Sequence, residues 1–176
     1  MRIGLLSDTH GHLDEGILGH LAGCDEVWHA GDIGHPDVAE RLADGRPLRA
    51  VHGNIDGPEL RRAFPALLRW TCGGLDVLML HIGGTPGRRT AEARRALAAG
   101  APGLFITGHS HIMKVVRDDA YGCLHLNPGA AGLQGWHKVR TLLRFTVDGG
   151  AVSGMEVVEL MPRRPSAGLQ KPTPTP

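Results

Sequence analysis

The residues of this chain best suited to chemistry are aspartates, histidines and one asparagine in short, mostly glycine-containing motifs. The motifs are Asp8-Thr9-His10, Gly31-Asp32, Gly53-Asn54, His81 and Gly108-His109-Ser110-His111. Imidazole and carboxylate ligands together suit borderline divalent metals, which accept both donor types. The combined set therefore predicts a metal site.

Each motif taken alone also has an ordinary structural explanation. An isolated Asp-x-His is usually structural, Gly31-Asp32 is a common turn, and His81 also fits a satisfied core histidine. The pair His109 and His111 is more specific, because two such histidines at a strand end are hard to justify structurally. The complete ordered set favours metal binding over five unrelated structural roles.

The spacing within two motifs supports a shared ligand position. Along an extended segment, residues two apart point the same way. We therefore expect Asp8 and His10, and likewise His109 and His111, to face one metal ion or two adjacent ones. Neighbouring glycines are expected where the backbone approaches a ligand closely or takes unusual dihedral angles.

The elements that must position these residues alternate between strand and helix in the first half of the chain. The predicted strands are 2–7, 26–30 and 48–52, and the predicted helices are 13–22 and 36–43. This alternation indicates parallel βαβ units. Asp8, Asp32 and Asn54 directly follow the three strands, whose carboxyl ends should meet in one crevice.

The second half is predicted to be mostly strand. The predicted strands are 67–72, 75–80, 104–107, 113–116, 122–126, 141–147 and 152–160, with one helix at 90–99. Gly73-Gly74 and Asp148-Gly149-Gly150 mark turns between paired strands. This many strands exceed one doubly wound sheet, so the predicted α/β fold has two packed sheets with helices outside.

Length and charge restrict the function further. The chain has 176 residues and a formal net charge of +1. This length fits a single domain at 1–161, followed by a Pro-rich tail at 162–176 that we expect to be disordered. The near-neutral charge gives no electrostatic case for stable nucleic-acid binding or for an anionic membrane. No apolar run approaches the roughly 20 residues that span a bilayer.

Cysteine usage and the N-terminus predict the compartment. Cys24, Cys72 and Cys123 are far apart and odd in number, which excludes an even disulfide framework. The chain opens directly on a predicted strand, with no apolar leader segment. Both features predict a reducing, cytoplasmic location.

The ordered motifs resemble the calcineurin-like metallophosphoesterase superfamily. The resemblance rests on Ser7-Asp8-Thr9-His10-Gly11, Ala30-Gly31-Asp32, His52-Gly53-Asn54, His81 and Gly108-His109-Ser110-His111. Asn127-Pro128-Gly129-Ala130 is similar to the Asn-Pro-Gly-Ser element of its small bacterial and archaeal phosphodiesterase branch. Over residues 1–160 the resemblance implies a four-layer α/β/β/α sandwich of two mixed sheets flanked by helices.

The resemblance also implies two divalent metal ions, with manganese expected and iron, nickel or zinc as alternatives. One ion would be held by Asp8, His10, Asp32 and His111. The other would be held by Asp32, Asn54, His81 and His109, so that Asp32 bridges the two ions. Asp32, Asn54 and His109 are the expected catalytic residues, with attack by a hydroxide that bridges the ions.

Two departures from the family pattern concern the proton donor and the pocket. Ile55 stands where many members carry a histidine that protonates the leaving group, and Ile82-Gly83-Gly84 follows His81 where the branch often has Gly-His. General acid help is typically worth 10²–10⁴-fold, so poor leaving groups should react slowly. His12 and His35 are candidates for the donor, against surface or metal-supporting roles.

The expected function is hydrolysis of a small or nucleotide-like phosphodiester. The alternatives are a phosphomonoesterase acting on a nucleotide or phosphoprotein, and a non-catalytic scaffold like the retromer subunit of this fold, whose metal ligands are degraded. A homodimer or larger homo-oligomer stays open. His137, Lys138 and Arg140 lie on a predicted loop and are either substrate contacts or parts of a solvated loop.

Overall fold

The computed structural model describes residues 1–160, which form strands β1–β12 and helices α1–α4. The strands are β1 (Arg2–Leu6), β2 (Glu26–His29), β3 (Leu48–Ala50), β4 (Leu67–Cys72), β5 (Leu75–Leu80), β6 (Gly84–Thr85), β7 (Arg88–Arg89), β8 (Leu104–Ile106), β9 (Lys114–Asp118), β10 (Cys123–Asn127), β11 (Thr141–Asp148) and β12 (Ala151–Glu159). The helices are α1 (Glu15–Leu21), α2 (Pro36–Ala43), α3 (Pro58–Ala63) and α4 (Ala91–Ala98). The predicted disordered tail at 162–176 lies outside the described residues, and the single-domain assignment stays a prediction.

The first sheet has the strand order β12-β11-β1-β2-β3. Strands β1, β2 and β3 pair in parallel, whereas β11 and β12 are antiparallel additions beside β1. The predicted parallel βαβ units are therefore confirmed. Parallel strands covered on both faces read as continuous apolar runs, as the buried residues at 3–6 of β1 do.

The second sheet has the strand order β4-β5-β8-β10-β9. Its central strands β5, β8 and β10 are parallel, and the edge strands β4 and β9 are antiparallel. The hairpin predicted around Gly73-Gly74 is confirmed, since Leu67 pairs with Leu80 and Cys72 with Leu75.

The two sheets pack face to face, and helices cover their outer faces. Between the sheets, the Trp28 ring meets Trp70 edge-on at 4.9 Å and Phe145 at 5.6 Å. Helices α1, α2 and α3 cover the first sheet, and α4 covers the second through Leu97 and Phe105. The predicted four-layer sandwich is thus confirmed. None of these helices, within residues 1–160, is long and apolar enough to cross a bilayer.

Three short elements, helix α3 and strands β6 and β7, were not predicted from the sequence. Helix α3 spans six residues and begins with Pro58 after Gly57, a pair that locally signals a turn. Burial of Leu60 against the first sheet's outer core stabilises this helix, which is too short to form alone. Strands β6 and β7 are two residues each, below the length at which a pattern is readable.

Candidate metal centre

All seven predicted metal ligands lie on segments that directly follow strands. Asp8 and His10 follow β1, Asp32 follows β2, Asn54 follows β3, His81 follows β5, and His109 and His111 follow β8. Six of them form two clusters, within each of which the potential ligand atoms all lie within 4.8 Å of one another. The first cluster is Asp8, His10 and His111, and the second cluster is Asp32, His81 and His109. Asn54 lines a cavity beside His81.

Five of these residues have a left-handed backbone conformation. The φ angles are 55° for Asp8, 50° for His10, 54° for Asp32, 66° for His109 and 57° for His111. No other non-glycine residue in the described part of the chain has a positive φ. The expectation of extended Asp-x-His and His-x-His segments is therefore wrong. Such conformations cost roughly 1–2 kcal/mol per residue and concentrate at functional sites.

In the first cluster, Oδ1 of Asp8 and the Nε2 atoms of His10 and His111 converge. Nε2 of His111 lies 3.2 Å from Oδ1 of Asp8 and 3.3 Å from Nε2 of His10. Oδ1 of Asp8 is buried and has no hydrogen-bond partner. Its Oδ2 accepts a hydrogen bond from the backbone N–H of His109 at 3.1 Å, which fixes the carboxylate.

In the second cluster, His81 is oriented by backbone. Its Nδ1 lies 2.7 Å from the carbonyl oxygen of Ala30, so Nδ1 carries the proton and donates it. Nε2 is then unprotonated in the neutral ring; it is buried, lacks a hydrogen-bond partner, and lies 3.3 Å from Oδ2 of Asp32. The same Oδ2 lies 3.9 Å from Nε2 of His10, so Asp32 lies between the two clusters.

The buried carboxylates and imidazoles shift one another's pKa values. Burial lowers the pKa of His81, but Asp32 and Asp8 raise it by more, so the net pKa is above its usual value. Burial raises the pKa of Asp32, whereas His81, the backbone N–H of Ile55 and His10 lower it by more. The pKa of His10 is lowered, chiefly by burial. The two carboxylates, surrounded by four imidazole groups, make a site that attracts cations.

The residues present fit a divalent metal ion in each cluster. Buried polar atoms without partners are rare in folded proteins and call for an explanation such as an ion. Oδ1 of Asp8 and Nε2 of His81 are two such atoms, one in each cluster. Their neighbours supply the mixed oxygen and nitrogen donors that borderline divalent metals accept.

The sequence matches one family along most of its length. Residues 1–150 match the family model of the calcineurin-like phosphoesterase superfamily domain. The chain belongs to the calcineurin-like phosphoesterase superfamily. The resemblance indicated by the motifs is thereby confirmed. Comparison with curated proteins gives no sequence match.

Several solved structures resemble this superfamily member. A Thermotoga maritima protein is 27% identical with a TM-score of 0.68, and the match covers 90% of this chain and 99% of that one. An archaeal phosphodiesterase is 21% identical with a TM-score of 0.68, covering 91% and 100%. Wild-type Vps29 from Entamoeba histolytica in complex with zinc is 18% identical with a TM-score of 0.65, covering 90% and 99%. The similarities to the archaeal phosphodiesterase and to Vps29 show that these proteins share the fold of this chain.

In this superfamily member, a buried histidine joins the loops that carry Asp8 and Asp32. Nδ1 of His29 accepts the backbone N–H of Gly31 at 3.2 Å, so its Nε2 donates to Oγ1 of Thr9 at 2.9 Å. Thr9 in turn donates to the carbonyl of Ile33 at 2.9 Å. Complete burial lowers the pKa of His29 to about 4, which keeps the ring neutral. The role of His29 was not predicted from the sequence, since its contacts depend on how two loops meet.

Asp56 joins the loops after β2 and β3. Its buried carboxylate accepts backbone N–H groups from Ile33 at 3.2 Å, Gly34 at 2.7 Å and Gly53 at 2.7 Å. These three bonds hold the segments on which Asp32 and Asn54 lie. In the sequence, the one signal for this role is an acidic residue two positions after Asn54.

The Asn-Pro-Gly element supports the loop that carries His109 and His111. Nδ2 of Asn127 donates to the carbonyl of Gly108 at 2.7 Å and lies 3.2 Å from Oγ of Ser110. Its Oδ1 accepts the backbone N–H of Gly129 at 3.0 Å. The Asn-Pro-Gly motif therefore positions the loop that carries His109 and His111.

His137 orients His111 from behind. Nε2 of His137 lies 3.1 Å from the carbonyl of Gly132, which can only accept, so the neutral ring leaves Nδ1 as an acceptor. Nδ1 of His111 lies 3.2 Å from that atom and donates to it. Nε2 of His111 is then unprotonated and faces Asp8. Neither of the two roles predicted for His137, substrate contact or solvated residue, includes this contact with His111.

The other candidate residues have partners of their own. Nε2 of His12 lies 3.0 Å from Asp14, and exposed His35 caps α2 by accepting the backbone N–H of Asp37. Arg140 is buried and donates to Asp14 at 2.9 Å, so its guanidinium is engaged in the structure rather than presented to a second phosphate. The proton-donor role of His12 or His35 stays a prediction.

Proposed function

We propose that the chain is a phosphodiesterase that holds two divalent metal ions and hydrolyses a small or nucleotide-like phosphate ester. One observation carries this proposal. Oδ2 of Asp32 faces Nε2 of His81 at 3.3 Å and Nε2 of His10 at 3.9 Å. A single carboxylate between two histidine-containing clusters is the arrangement that a bridging ligand requires.

The proposed ligand sets follow from the clusters. One ion would be held by Asp8, His10, Asp32 and His111, and the other by Asp32, Asn54, His81 and His109. Manganese is the expected ion, with iron, nickel or zinc as alternatives. When bound, such a pair of ions supplies an acidified water, orients phosphoryl oxygens and offsets charge in the transition state.

The chain's own residues complete the proposed site. Asp8 and Asp32 contribute two negative charges, so two divalent ions leave a net positive site for an anionic ester. The amide of Asn54 has N–H donors for a phosphoryl oxygen while its carbonyl oxygen binds an ion. Ile55 is 47% exposed beside it and has no proton to give. Esters with good leaving groups should therefore react fastest.

The engagement of Arg61 with backbone carbonyl groups favours a diester over a monoester. Arg61 lines the same cavity as Asn54, and its guanidinium donates to the carbonyl oxygens of Gly53, Asn54 and Asp56 at 3.0, 3.0 and 2.6 Å. A monoester carries an additional negative charge that an unengaged cation would compensate. The archaeal phosphodiesterase of the same fold also supports the diester assignment.

Two aryl esters test the proposal. We expect the manganese-loaded protein to hydrolyse bis(p-nitrophenyl) phosphate faster than p-nitrophenyl phosphate. His109→Ala and Asn54→Ala should be nearly inactive, while Asp119→Ala, at an exposed turn, should retain wild-type rates. A higher rate on the monoester would replace the diesterase with the phosphomonoesterase alternative. Single replacements of His12 and His35 in the same assay test each as proton donor.

Metal analysis separates the enzyme from the scaffold alternative. Two manganese ions bound per chain support the proposed centre. Well below one ion per chain after purification, without rebinding of added manganese, would favour a non-catalytic scaffold. The expected cytoplasmic location, the lack of stable nucleic-acid binding and a homo-oligomeric state stay predictions.

A further inference from the structure

The loop between β10 and β11 presents a tryptophan to solvent beside the candidate metal centre. Trp136 is fully exposed, whereas the next most exposed large apolar side chain in residues 1–160 is Ile112 at 64%. A fully exposed indole leaves a large apolar surface in water, which is often a sign of binding. Tryptophan also offers two flat faces on which a planar ring can stack.

The neighbours of Trp136 fix its place next to the first cluster. Gly135 has a φ of 112°, and a Cβ at this position would lie 2.6 Å from Cε1 of His111. On the other side of Trp136, Nδ1 of His137 lies 3.2 Å from Nδ1 of His111. Trp136 therefore lies between two residues that both contact one candidate metal ligand.

A cavity joins this indole to both histidines of the loop after β8. It has a volume of about 470 Å³, within the range of roughly 300–1,000 Å³ that small-molecule sites occupy. Its lining residues are His109, Ser110, His111, Ile112, Gly135, Trp136 and His137. One wall thus belongs to the candidate metal centre and another to exposed apolar side chains.

The chemistry of the lining selects the kind of group that fits. None of its residues is a lysine, arginine, aspartate or glutamate. Arg140, on the same loop, is buried and paired with Asp14. A second phosphate would therefore find no cationic side chain in the lining of this cavity, whereas a flat, neutral ring would meet an indole face and the Ile112 side chain.

We propose that Trp136, with Ile112, forms a stacking subsite for the planar, nucleobase-like part of the phosphate ester. This assignment rests on the proposed function, because it places the ring of the same substrate whose phosphate meets the metal centre. Stacking of a base on an aromatic side chain tolerates any base. The subsite therefore selects for a ring rather than for one particular base.

Two esters with the same leaving group test the subsite. Thymidine 5′-(p-nitrophenyl phosphate) carries a nucleobase, and methyl p-nitrophenyl phosphate does not. Loss of one stacking contact should lower the ratio of their kcat/KM values about 10-fold in Trp136→Ala. Trp136→Phe should retain most of the ratio. The control Val139→Ala changes an exposed side chain of the same loop outside the cavity and should leave both values as in the wild type.

A binding measurement tests the subsite without turnover. We expect calorimetry on the manganese-loaded protein to give about 10-fold tighter binding of adenosine 5′-monophosphate than of ribose 5-phosphate. This preference should disappear in Trp136→Ala. Equal affinities in the wild type, or a preference that Trp136→Ala leaves intact, would overturn the subsite. A change of oligomeric state in Trp136→Ala would overturn it too, by assigning the indole to a subunit contact. If neither ester is hydrolysed, the proposed function fails while this measurement still decides the subsite.

Discussion

His81 and His111 present the same nitrogen to a carboxylate, yet different parts of the fold orient them. Nε2 of His81 lies 3.3 Å from Asp32, and Nε2 of His111 lies 3.2 Å from Asp8. Behind His81 is the backbone carbonyl of Ala30, the residue directly after β2. Behind His111 is a side chain, His137, on the loop that also presents Trp136.

This difference separates a fixed cluster from an adjustable one. No substitution removes a backbone carbonyl, so the orientation of His81 is part of the sheet itself. His137 can be replaced, and the loop around it can change without disturbing a strand. We infer that the second cluster is set by the fold, whereas the first cluster is set by a loop that also shapes the substrate cavity.

The largest effect should come from the residue that the clusters share. Asp32→Ala should abolish tight binding of both ions and lower the rate on the order of 10³-fold or more, since several kcal/mol of charge stabilisation are lost. Manganese at 100 times its dissociation constant should stabilise the wild type by about 2.7 kcal/mol for each ion bound. It should not stabilise Asp32→Ala. Thermal unfolding with and without manganese measures this, and a variant that still binds two ions would refute the shared position of Asp32.

Single replacements in each cluster should separate the two ions. His81→Ala and His111→Ala should each lose one ion and keep the other, because each removes a ligand from one cluster only. Manganese titration by calorimetry reports the stoichiometry. Loss of both ions in His111→Ala would show that the first cluster also holds the second together, and the contrast between the two clusters would fail.

A smaller effect should follow from removing the side chain behind His111. His137→Ala should weaken one manganese site about 10–100-fold, as replacement of a ligand's hydrogen-bond partner usually does. The affinity of the other site should not change. Lys138→Ala is the matched control on the same loop. Equal weakening of both sites would point to a general loss of loop structure.

The last contrast concerns a support beneath both clusters. Nε2 of His125 lies 3.0 Å from Oγ1 of Thr107, under the loop that carries His109 and His111. Burial, and then the charge of Arg89, lower the pKa of His125 from 6.5 to about 3. Between these values the unfolded chain binds a proton that the folded chain does not, so stability is complete above pH 6.5 and falls as the pH decreases.

Urea unfolding in a chelator tests this support apart from the metal. Between pH 7 and 4.5 the wild type should lose roughly 2–3 kcal/mol of stability through His125. His125→Gln should lack that portion of the pH dependence. Identical pH profiles for the two proteins would mean that His125 has the same pKa in the folded and unfolded chains, which would contradict the prediction.

The candidate ligands could be predicted from the sequence because the ends of strands are marked by the end of an apolar run. Asp32 follows a run of buried residues, and the topology brings that strand end to the others. The supporting residues could not be read in this way. Asp56 acts through backbone N–H groups of another loop, and His137 acts through the side chain of His111. The approach of two loops leaves no periodic pattern in the sequence. Helix α3 was missed for a related reason, since its stability comes from burial of Leu60 rather than from local propensity.

The five left-handed ligand residues have a consequence for stability engineering. Glycine adopts this conformation without the steric cost that aspartate or histidine bears. In the absence of metal, His109→Gly should therefore fold more stably than the parent chain, although it lacks a ligand of the second cluster. Selection for heat resistance alone would be expected to erode the centre one residue at a time. Selection in the presence of manganese would oppose that drift, because the bound ion stabilises only the chain that still holds it.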